Sequence, residues 1–368
     1  MEKKRIEYLD TAKGIGIIMV VVGHSTFLQE DVLTWISSFH MPLFFVLAGI
    51  LIRIKGDENK KTLINIKSKL KSIMIPYVSF SLIYLLIDFA YLMLKQDNIT
   101  VVDLQRSGIE AVTLYGMSVL WFLPALFFAE TGFLLLRKKT SMKYTGMITA
   151  AMAVVTAVII PFFKEQYPMF MNMPVLWIGY LLTSLLRGAA GMIFLAAGYF
   201  GVVLLKEPAL GYQKKEYAKT VNLKELALGV LFLLFSIAAG MANKRVDLHT
   251  LVINQPILYF ASALAGSAWV ILLSRNIPKI RPISFFGKNS LVIMATHLDC
   301  QIMIAAIHFS YFLNQYVTHA KQYVFYLTLA VSVIAIEVIV VYTINRFFPF
   351  LLGRKYRTGQ IIKYRKKN

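Results

Sequence analysis

His24 and Lys13 are the residues whose types and spacing point most directly to chemistry. His24 lies near the end of an otherwise apolar stretch, residues 12–28, and an ionisable side chain inside a membrane span is costly and usually functional. Lys13 precedes it by eleven residues, about three helical turns, so both side chains project from one face. Asp10 joins that face if the helix begins early enough. The alternative is a structural histidine that is hydrogen-bonded to a neighbouring helix.

A second polar stripe is predicted on a later apolar segment, residues 288–308. Ser290, His297, Gln301 and His308 follow one another at intervals of seven, four and seven residues, which keeps them on one face of a continuous helix. His297 lies mid-span and is the stronger candidate for chemistry. His308 is interpreted as a residue of the outer membrane interface.

Further ionisable residues lie in apolar surroundings. Asp88 and Glu130 could assist proton transfer or orient a histidine, and the equally good alternative is that one of them pairs with Arg187, the basic residue left within a span. Glu337 is a similar acid with no motif around it. His40, near the outer end of the second apolar segment, could face water or a cavity that it shares with His24.

A dense basic cluster occupies residues 53–72. It could be ordinary charge at the inner leaflet, or it could hold the phosphates of a cytoplasmic ligand, which lysine binds as a point charge. No glycine-rich phosphate loop and no His/Cys cluster with metal-ligand spacing occurs in the sequence, so no metal site is predicted. The cluster comprises Arg53, Lys55, Lys60, Lys61, Lys67, Lys69 and Lys71.

Composition predicts the elements that would position these residues. Of the 368 residues, 58% are hydrophobic, above the roughly 45–50% of a soluble domain, so the chain is interpreted as an integral membrane protein. Because a spanning helix needs roughly 20 apolar residues, we expect one all-α polytopic bundle of about ten transmembrane helices, a single domain over residues 1–368. The expected spans are 12–28, 36–54, 73–95, 119–137, 144–163, 186–205, 225–241, 256–274, 288–308 and 321–345.

The distribution of charge predicts the orientation. The formal net charge of +20 could suggest nucleic acid, but most of the 39 lysines and arginines fall in alternate loops and at the two ends. Such an excess marks cytoplasmic loops, so both termini are expected in the cytoplasm and no nucleic-acid partner is expected. Residues 174–185 are too few to cross alone and are predicted to form a partial or re-entrant helix. Residues 100–117 are predicted to lie on the membrane surface as an amphipathic segment.

Four segments resemble the membrane-bound acyltransferase-3 family, and among its members the fucose 4-O-acetylase-like branch. The similarity extends from the first expected span to the ninth. The segments are residues 9–24 (LDTAKGIGIIMVVVGH), 39–49 (FHMPLFFVLAG), 120–127 (LWFLPALF) and 286–297 (FGKNSLVIMATH).

This resemblance implies a membrane O-acyltransferase, usually an O-acetyltransferase. Such proteins take the acyl group from cytoplasmic acetyl-CoA and place it on a sugar hydroxyl of a cell-surface or secreted glycan. The essential histidine of the family's first helix matches His24, and the basic residue eleven positions earlier, often arginine, is Lys13. The basic pair before the third span is often Arg-x-x-Arg, whereas Lys67, Lys69 and Lys71 occupy that region at a different spacing.

On this resemblance, His24 is expected to act as general base on the acceptor hydroxyl or to carry the acyl group itself. His297 would bind or polarise the acceptor or the thioester carbonyl. Trp121 would form an apolar wall or stack on a sugar ring, and its alternative role is an interfacial anchor. The expected site residues are His24, His297 and Asp10 for catalysis, Lys13, Arg53, Lys67, Lys69 and Lys71 for coenzyme A, and His40, Trp121, Glu130 and Ser290 for substrate.

The expected partners are acetyl-CoA as acyl donor, a glycan or sugar acceptor, and membrane lipids, with no tightly bound cofactor. The expected location is the bacterial plasma membrane. The alternative from a different class is a transporter or flippase for a sugar or a lipid-linked glycan precursor. Intramembrane histidines and a broken helix at 174–185 would suit a transporter, whereas the sequence shows no inverted repeat.

Overall fold

The computed structural model is an all-α bundle, which confirms the predicted fold class. It describes residues 6–24, 30–94, 99–170, 175–202, 221–298, 300, 302–314 and 322–355. Within these residues the sole strand-like pairing is an isolated bridge between Asp247 and Val252. The helices are α1 Glu7–His24, α2 Glu30–Lys55, α3 Thr62–Lys69, α4 Ile75–Met93, α5 Val101–Val112, α6 Phe122–Lys139, α7 Met142–Phe170, α8 Leu176–Gly201, α9 Leu223–Asn243, α10 Pro256–Asn276, α11 Arg281–Lys288, α12 Ser290–Thr296, α13 Ile302–Asn314 and α14 Gln322–Phe347.

Seven helical segments of the described chain are long and apolar enough to cross a membrane. They match predicted spans two to eight, so the chain is a multi-pass integral membrane protein. The first predicted span, in contrast, forms α1, which carries Glu7, Asp10 and Lys13 within 18 residues. The total of ten spans therefore stays a prediction. The seven segments are Glu30–Lys55, Thr62–Met93, Ser118–Lys139, Met142–Glu165, Leu176–Gly201, Leu223–Asn243 and Pro256–Asn276.

Helix α1 lies in the middle of the bundle, against α2, α10, α11 and α12. Its contact with α11 brings two backbones together: a Cβ added at Gly14 would lie 2.0 Å from the carbonyl oxygen of Ile283, and one at Gly287 would lie 1.7 Å from that of Asp10. Glycines allow helices in membranes to approach this closely. This contact therefore fixes the axial position and the rotation of α1. The directions of its polar side chains are fixed with them.

The partial helix predicted at 174–185 is wrong. Helix α8 is continuous from Leu176 to Gly201 and so unites that segment with the predicted span at 186–205. The prediction rested on length, because residues 174–185 are too few to cross a membrane alone. In the structure they continue into the helix that carries Arg187. The Arg187 side chain is fully buried and donates to the backbone carbonyls of Tyr115 and His249, each at 2.7 Å, so the helix tolerates the charge.

The single helix predicted at 288–308 is also wrong. Helix α12 ends at Thr296, a turn follows, and α13 begins at Ile302. Side-chain donors take carbonyl oxygens at this end: Tyr84 donates to Ala295 at 2.8 Å, and the His297 ring donates to Ile293 and Met294. The predicted stripe therefore extends only from Ser290 to His297. His308 is exposed on α13, and Gln301 lies outside the described residues.

Helix α5 forms the amphipathic segment predicted at 100–117. It begins with a capping box, in which Thr100 and Asp103 exchange side-chain and backbone hydrogen bonds. Its exposed apolar residues include Val101 and Val112. The Tyr77 hydroxyl donates to its Ala111 carbonyl at 2.7 Å, which ties α5 to α4. Its position on the membrane surface stays a prediction.

Replacement of Gly287 by alanine tests the contact between α1 and α11. The new Cβ would overlap the Asp10 carbonyl oxygen, so α1 must move away and we expect a loss of roughly 2 kcal/mol or more. The measurement is thermal unfolding in detergent. Gly108→Ala on α5 is the matched control, because a Cβ there meets no atom within 4 Å. Equal melting temperatures for the two variants would contradict the packing argument.

Candidate functional site

A first cavity, of about 230 Å³, opens at the end of the bundle where the basic loops lie. We call it the inner cavity. Lys13 on α1, Lys69 on α3, Glu130 on α6 and Ser290 on α12 line it, among mainly apolar residues. The ammonium group of Lys69 lies 2.7 Å from a carboxylate oxygen of Glu130. The sequence thus identified these four polar residues, which come from four separate helices, and missed Ser72, which also lines the cavity.

A second and larger cavity, of about 580 Å³, lies towards the other end of α1. We call it the outer cavity. Its lining includes His24, His40 and Trp121, which the sequence had singled out, together with Asp247 and His249 from the loop between α9 and α10. The Nδ1–H of His40 donates to the Ile36 carbonyl at 2.7 Å, because a carbonyl can only accept. The Nε2 of His40 is therefore a hydrogen-bond acceptor.

The two cavities share Val20 and Met41 in their linings. Helix α1 runs along both, with Lys13 and Ile17 in the inner cavity and His24 in the outer one. The spacing of four, three and four residues from Lys13 to His24 is that of one helix face. The predicted polar stripe on α1 therefore faces cavities from Lys13 to His24, whereas Asp10 lines neither of them.

His24 and His297 form a pair, with their ring centroids 5.2 Å apart. The Nδ1–H of His297 donates to the carbonyls of Ile293 at 2.9 Å and Met294 at 3.0 Å. Its Nε2 is buried and has no hydrogen-bond partner among the described residues. In the neutral imidazole this leaves Nε2 without a proton, so in that form His297 can accept a hydrogen bond beside His24.

Residues 295 to 297 are each held by a different interaction. Tyr84 donates to the Ala295 carbonyl, and the Thr296 hydroxyl lies 2.9 Å and 3.0 Å from the two carboxylate oxygens of Glu337. Glu337 is buried on α14. The end of α12 is therefore fixed from α4 and from α14, which sets the place of His297.

Arg187 connects the outer cavity to two loops. Besides its bonds to Tyr115 and His249, its guanidinium lies 4.1 Å from the Tyr115 ring centroid and 5.4 Å from that of Trp121. Trp121 in turn stacks on His249, at 5.7 Å and 17°. Burial, and next the Arg187 charge, lower the pKa of His249 to about 4. The imidazole of His249 is therefore neutral at physiological pH.

Other predicted site residues lie away from the cavity walls. Arg53 donates to the Tyr199 hydroxyl at 2.9 Å and lies 3.4 Å from Glu58. Lys67 and Lys71 are exposed on either side of Lys69. Within the described chain, none of these three, nor Asp10, is among the residues that line the two cavities.

Trp121 is buried in the bundle, with 7% of its surface exposed. This position contradicts the interfacial anchor considered from the sequence. The acids considered as partners of Arg187 have other contacts: Glu130 pairs with Lys69, and Asp88 accepts from Ser107 at 2.9 Å.

Sequence reasoning missed His249 and Asp247. Both belong to a short polar segment between two spans, where ordinary loop residues are expected. The available signal was the Asp-x-His spacing at the same end of the bundle as His24. Only the folded bundle shows that this loop borders the cavity.

The acyltransferase-3 family model, described as an acyltransferase domain, matches residues 6–346. The chain belongs to this family. It is therefore a membrane acyltransferase. No curated protein and no solved structure matches the chain significantly.

Family membership also decides between the two function classes that the sequence left open. The transporter alternative drew on a broken helix at 174–185, and α8 is continuous there. The acyltransferase interpretation draws on segments that hold His24, Trp121 and His297, and the structure places His24 and Trp121 in the lining of the outer cavity, with His297 beside His24.

Arg187→Lys tests the network around the outer cavity. A lysine keeps the charge but lacks the planar fork that reaches two carbonyls, so we expect a loss of roughly 2–4 kcal/mol of stability. The measurement is thermal unfolding in detergent. Arg245→Lys is the control, because Arg245 forms an exposed pair with Glu30 that is worth under about 1 kcal/mol. If the two variants melt alike, Arg187 does not hold the two loops.

Proposed function

We propose that this acyltransferase moves an acetyl group from cytoplasmic acetyl-CoA to a sugar hydroxyl of a cell-surface or secreted glycan, in the bacterial plasma membrane. The observation that carries the proposal is the course of α1 along two cavities. Lys13 lies in the cavity at the basic end, and His24 lies in the other. A cationic cavity suits the phosphates of the donor, and a larger polar cavity suits a sugar ring.

In the proposed donor site, Lys13 and Lys69 meet the coenzyme A phosphates. The ion pair with Glu130 already holds the ammonium group of Lys69 in place. A phosphate group that binds there replaces the Glu130 carboxylate as the partner of this ammonium. Lys67 and Lys71 add positive charge on either side of Lys69, whereas Arg53, farther along the same end, is paired with Glu58 and adds little net charge. Long-range attraction of this kind raises the local concentration of an anionic ligand.

In the proposed transfer, a nitrogen of His24 takes the proton of the acceptor hydroxyl while that oxygen attacks the thioester carbon. The carbon–sulfur bond breaks, and coenzyme A leaves as a thiolate that takes up a proton. In the two-step form of this reaction, His24 first receives the acetyl group and then passes it to the hydroxyl. Acid-quenched protein that carries radiolabelled acetyl identifies the two-step form.

His297 has a positioning role in this proposal. Its Nε2, which has no partner among the described residues, becomes in this proposal the acceptor for a ring N–H of His24 during the reaction, and it thereby selects the tautomer in which the other nitrogen of His24 faces the substrate. Tyr84 and Glu337 keep the end of α12 in place for this contact. A buried acceptor that orients a catalytic histidine is the arrangement found in nucleophile–base–orienter triads.

Replacement of His24 by alanine tests the proposed function. We expect the acetyl mass difference in surface glycans, measured by mass spectrometry of cells with and without the protein, to disappear at unchanged protein level. His308→Ala is the matched control, because His308 is an exposed histidine of α13 and its loss should leave acetylation unchanged. Full acetylation with His24→Ala would refute the assignment.

His297→Leu tests the positioning role. Loss of the acceptor beside His24 should lower kcat about a hundredfold, with little change in KM for acetyl-CoA. His297→Gln should restore part of the rate, because its carbonyl oxygen can accept the same hydrogen bond. The measurement is acetyl-CoA turnover by the protein in lipid nanodiscs. A raised KM with unchanged kcat would instead show that His297 binds substrate.

A further inference from the structure

The loop at residues 244–255 is built to hold side chains in fixed positions. Lys244, Leu251 and Asn254 have positive φ angles of 64°, 57° and 48°, a conformation that is unfavourable for residues other than glycine. The Asn254 amide compensates by donating to the carbonyls of Asn243 at 2.9 Å and Arg245 at 2.8 Å. Strain that is maintained in this way is typical of ligand-binding sites.

This loop presents Asp247, His249 and Thr250 to the outer cavity. The backbone of His249 is held on both sides: its N–H donates to Asp247 Oδ1 at 2.8 Å, and its carbonyl accepts from Arg187 at 2.7 Å. Its ring stacks on Trp121. Its Nε2 is nevertheless buried with no hydrogen-bond partner in the described part of the chain. A buried polar atom without a partner is costly and calls for an explanation such as a missing ligand.

Asp247 has acceptor capacity beyond its contacts within the loop. Its Oδ1 accepts from the His249 N–H and its Oδ2 from the Thr250 hydroxyl at 2.8 Å, whereas a carboxylate has about four acceptor positions. The nearby Arg245 forms an ion pair with Glu30 at 3.4 Å. These two residues at the rim together therefore contribute little net positive charge to the cavity. A carboxylate here attracts hydroxyl donors and repels anionic groups.

We propose that Asp247 and His249 form an acceptor subsite for a neutral sugar ring that presents neighbouring hydroxyl groups. This subsite rests on the proposed function, and it specifies the class of acceptor. Asp247 accepts a hydrogen bond from one hydroxyl, and the His249 imidazole bonds to the next. A sugar that carries a carboxylate in place of one of these hydroxyl groups is repelled by the negative charge of Asp247 and is therefore excluded from the subsite. Arg187 and Trp121 act on the acceptor only by holding His249.

The test uses protein in lipid nanodiscs, radiolabelled acetyl-CoA and a panel of methyl glycosides. Each neutral glycoside, of glucose and of galactose, is paired with its uronic acid. We expect kcat/KM to favour the neutral member of each pair about tenfold, and Asp247→Asn to bring the ratio close to one. His249→Phe keeps the stacked ring and removes both nitrogens, so KM for the neutral glycosides should rise about tenfold.

Two control variants separate recognition from folding. Thr250→Val removes one bond to Asp247 but keeps the carboxylate, so the preference for neutral glycosides should persist. Asp31→Asn removes an exposed acid at the same end of the bundle and should change nothing. A fall in activity by the same factor towards neutral and acidic glycosides in both Asp247→Asn and His249→Phe would mark a merely structural loop and overturn the subsite.

The wild-type protein distinguishes failure of the subsite from failure of the function. If it consumes acetyl-CoA but acetylates the uronic acids better, or acetylates neither member of the pairs, the neutral-sugar subsite is wrong and the donor assignment stands. If it neither hydrolyses acetyl-CoA nor transfers its acetyl group, the proposed function is wrong and the subsite falls with it.

Discussion

The backbone contact between α1 and α11 is the constraint on which the rest of the site depends. Gly14 and Gly287 each face a carbonyl oxygen of the opposite helix, so the contact is reciprocal and neither helix can rotate without a collision. In a membrane, where lipid is as apolar as protein, such close packing is a principal source of helix association. The contact decides that Lys13 points into the inner cavity and that His24 meets His297. A catalytic group must be held to within a fraction of an ångström, and a helix locked by its own backbone provides that precision.

The buried polar groups follow a common rule, because backbone carbonyls satisfy most of them. Arg187 donates to two carbonyls from loops, Tyr84 donates to one at the end of α12, and the ring of His297 donates to two more. In an apolar bundle, a carbonyl without a hydrogen bond costs about as much free energy as an unpaired polar side chain. Each of these hydrogen bonds therefore satisfies a carbonyl and a side chain at once. This explains why α12 can end inside the bundle and why α8 can carry a charge. It also leaves His297 and His249 each with one nitrogen that has no partner in the described structure.

Much of the bundle and part of the site could be predicted from the sequence. Runs of apolar residues are read directly from composition, and the spacing of Lys13 and His24 fixes their common face because it depends on one helix alone. The errors at residues 174–185 and 288–308 have one physical origin. In both places the outcome depended on a partner distant in sequence: carbonyls at Tyr115 and His249 keep α8 intact around Arg187, and Tyr84 helps to end α12. His249 was missed for the same reason, since its place beside the cavity is a property of packing and not of local pattern.

The two cavities differ in the chemistry of their linings, and this difference bears on how one residue can act on two substrates. The inner cavity is the smaller and is lined by Lys13, Lys69 and Glu130, whereas the outer one is larger and is lined by three histidines and Asp247. On the proposed function, the anionic donor and the neutral acceptor therefore have separate sites, and each is disfavoured in the site of the other. Transfer still requires the reacting atoms to approach within about 3–3.5 Å. Val20 and Met41 lie where the cavities adjoin, and methionine is the apolar side chain that most readily changes shape. In the proposed reaction, His24, one turn beyond Val20 on the same face of α1, is therefore the ionisable group best placed to reach the acyl group of a donor in the inner cavity.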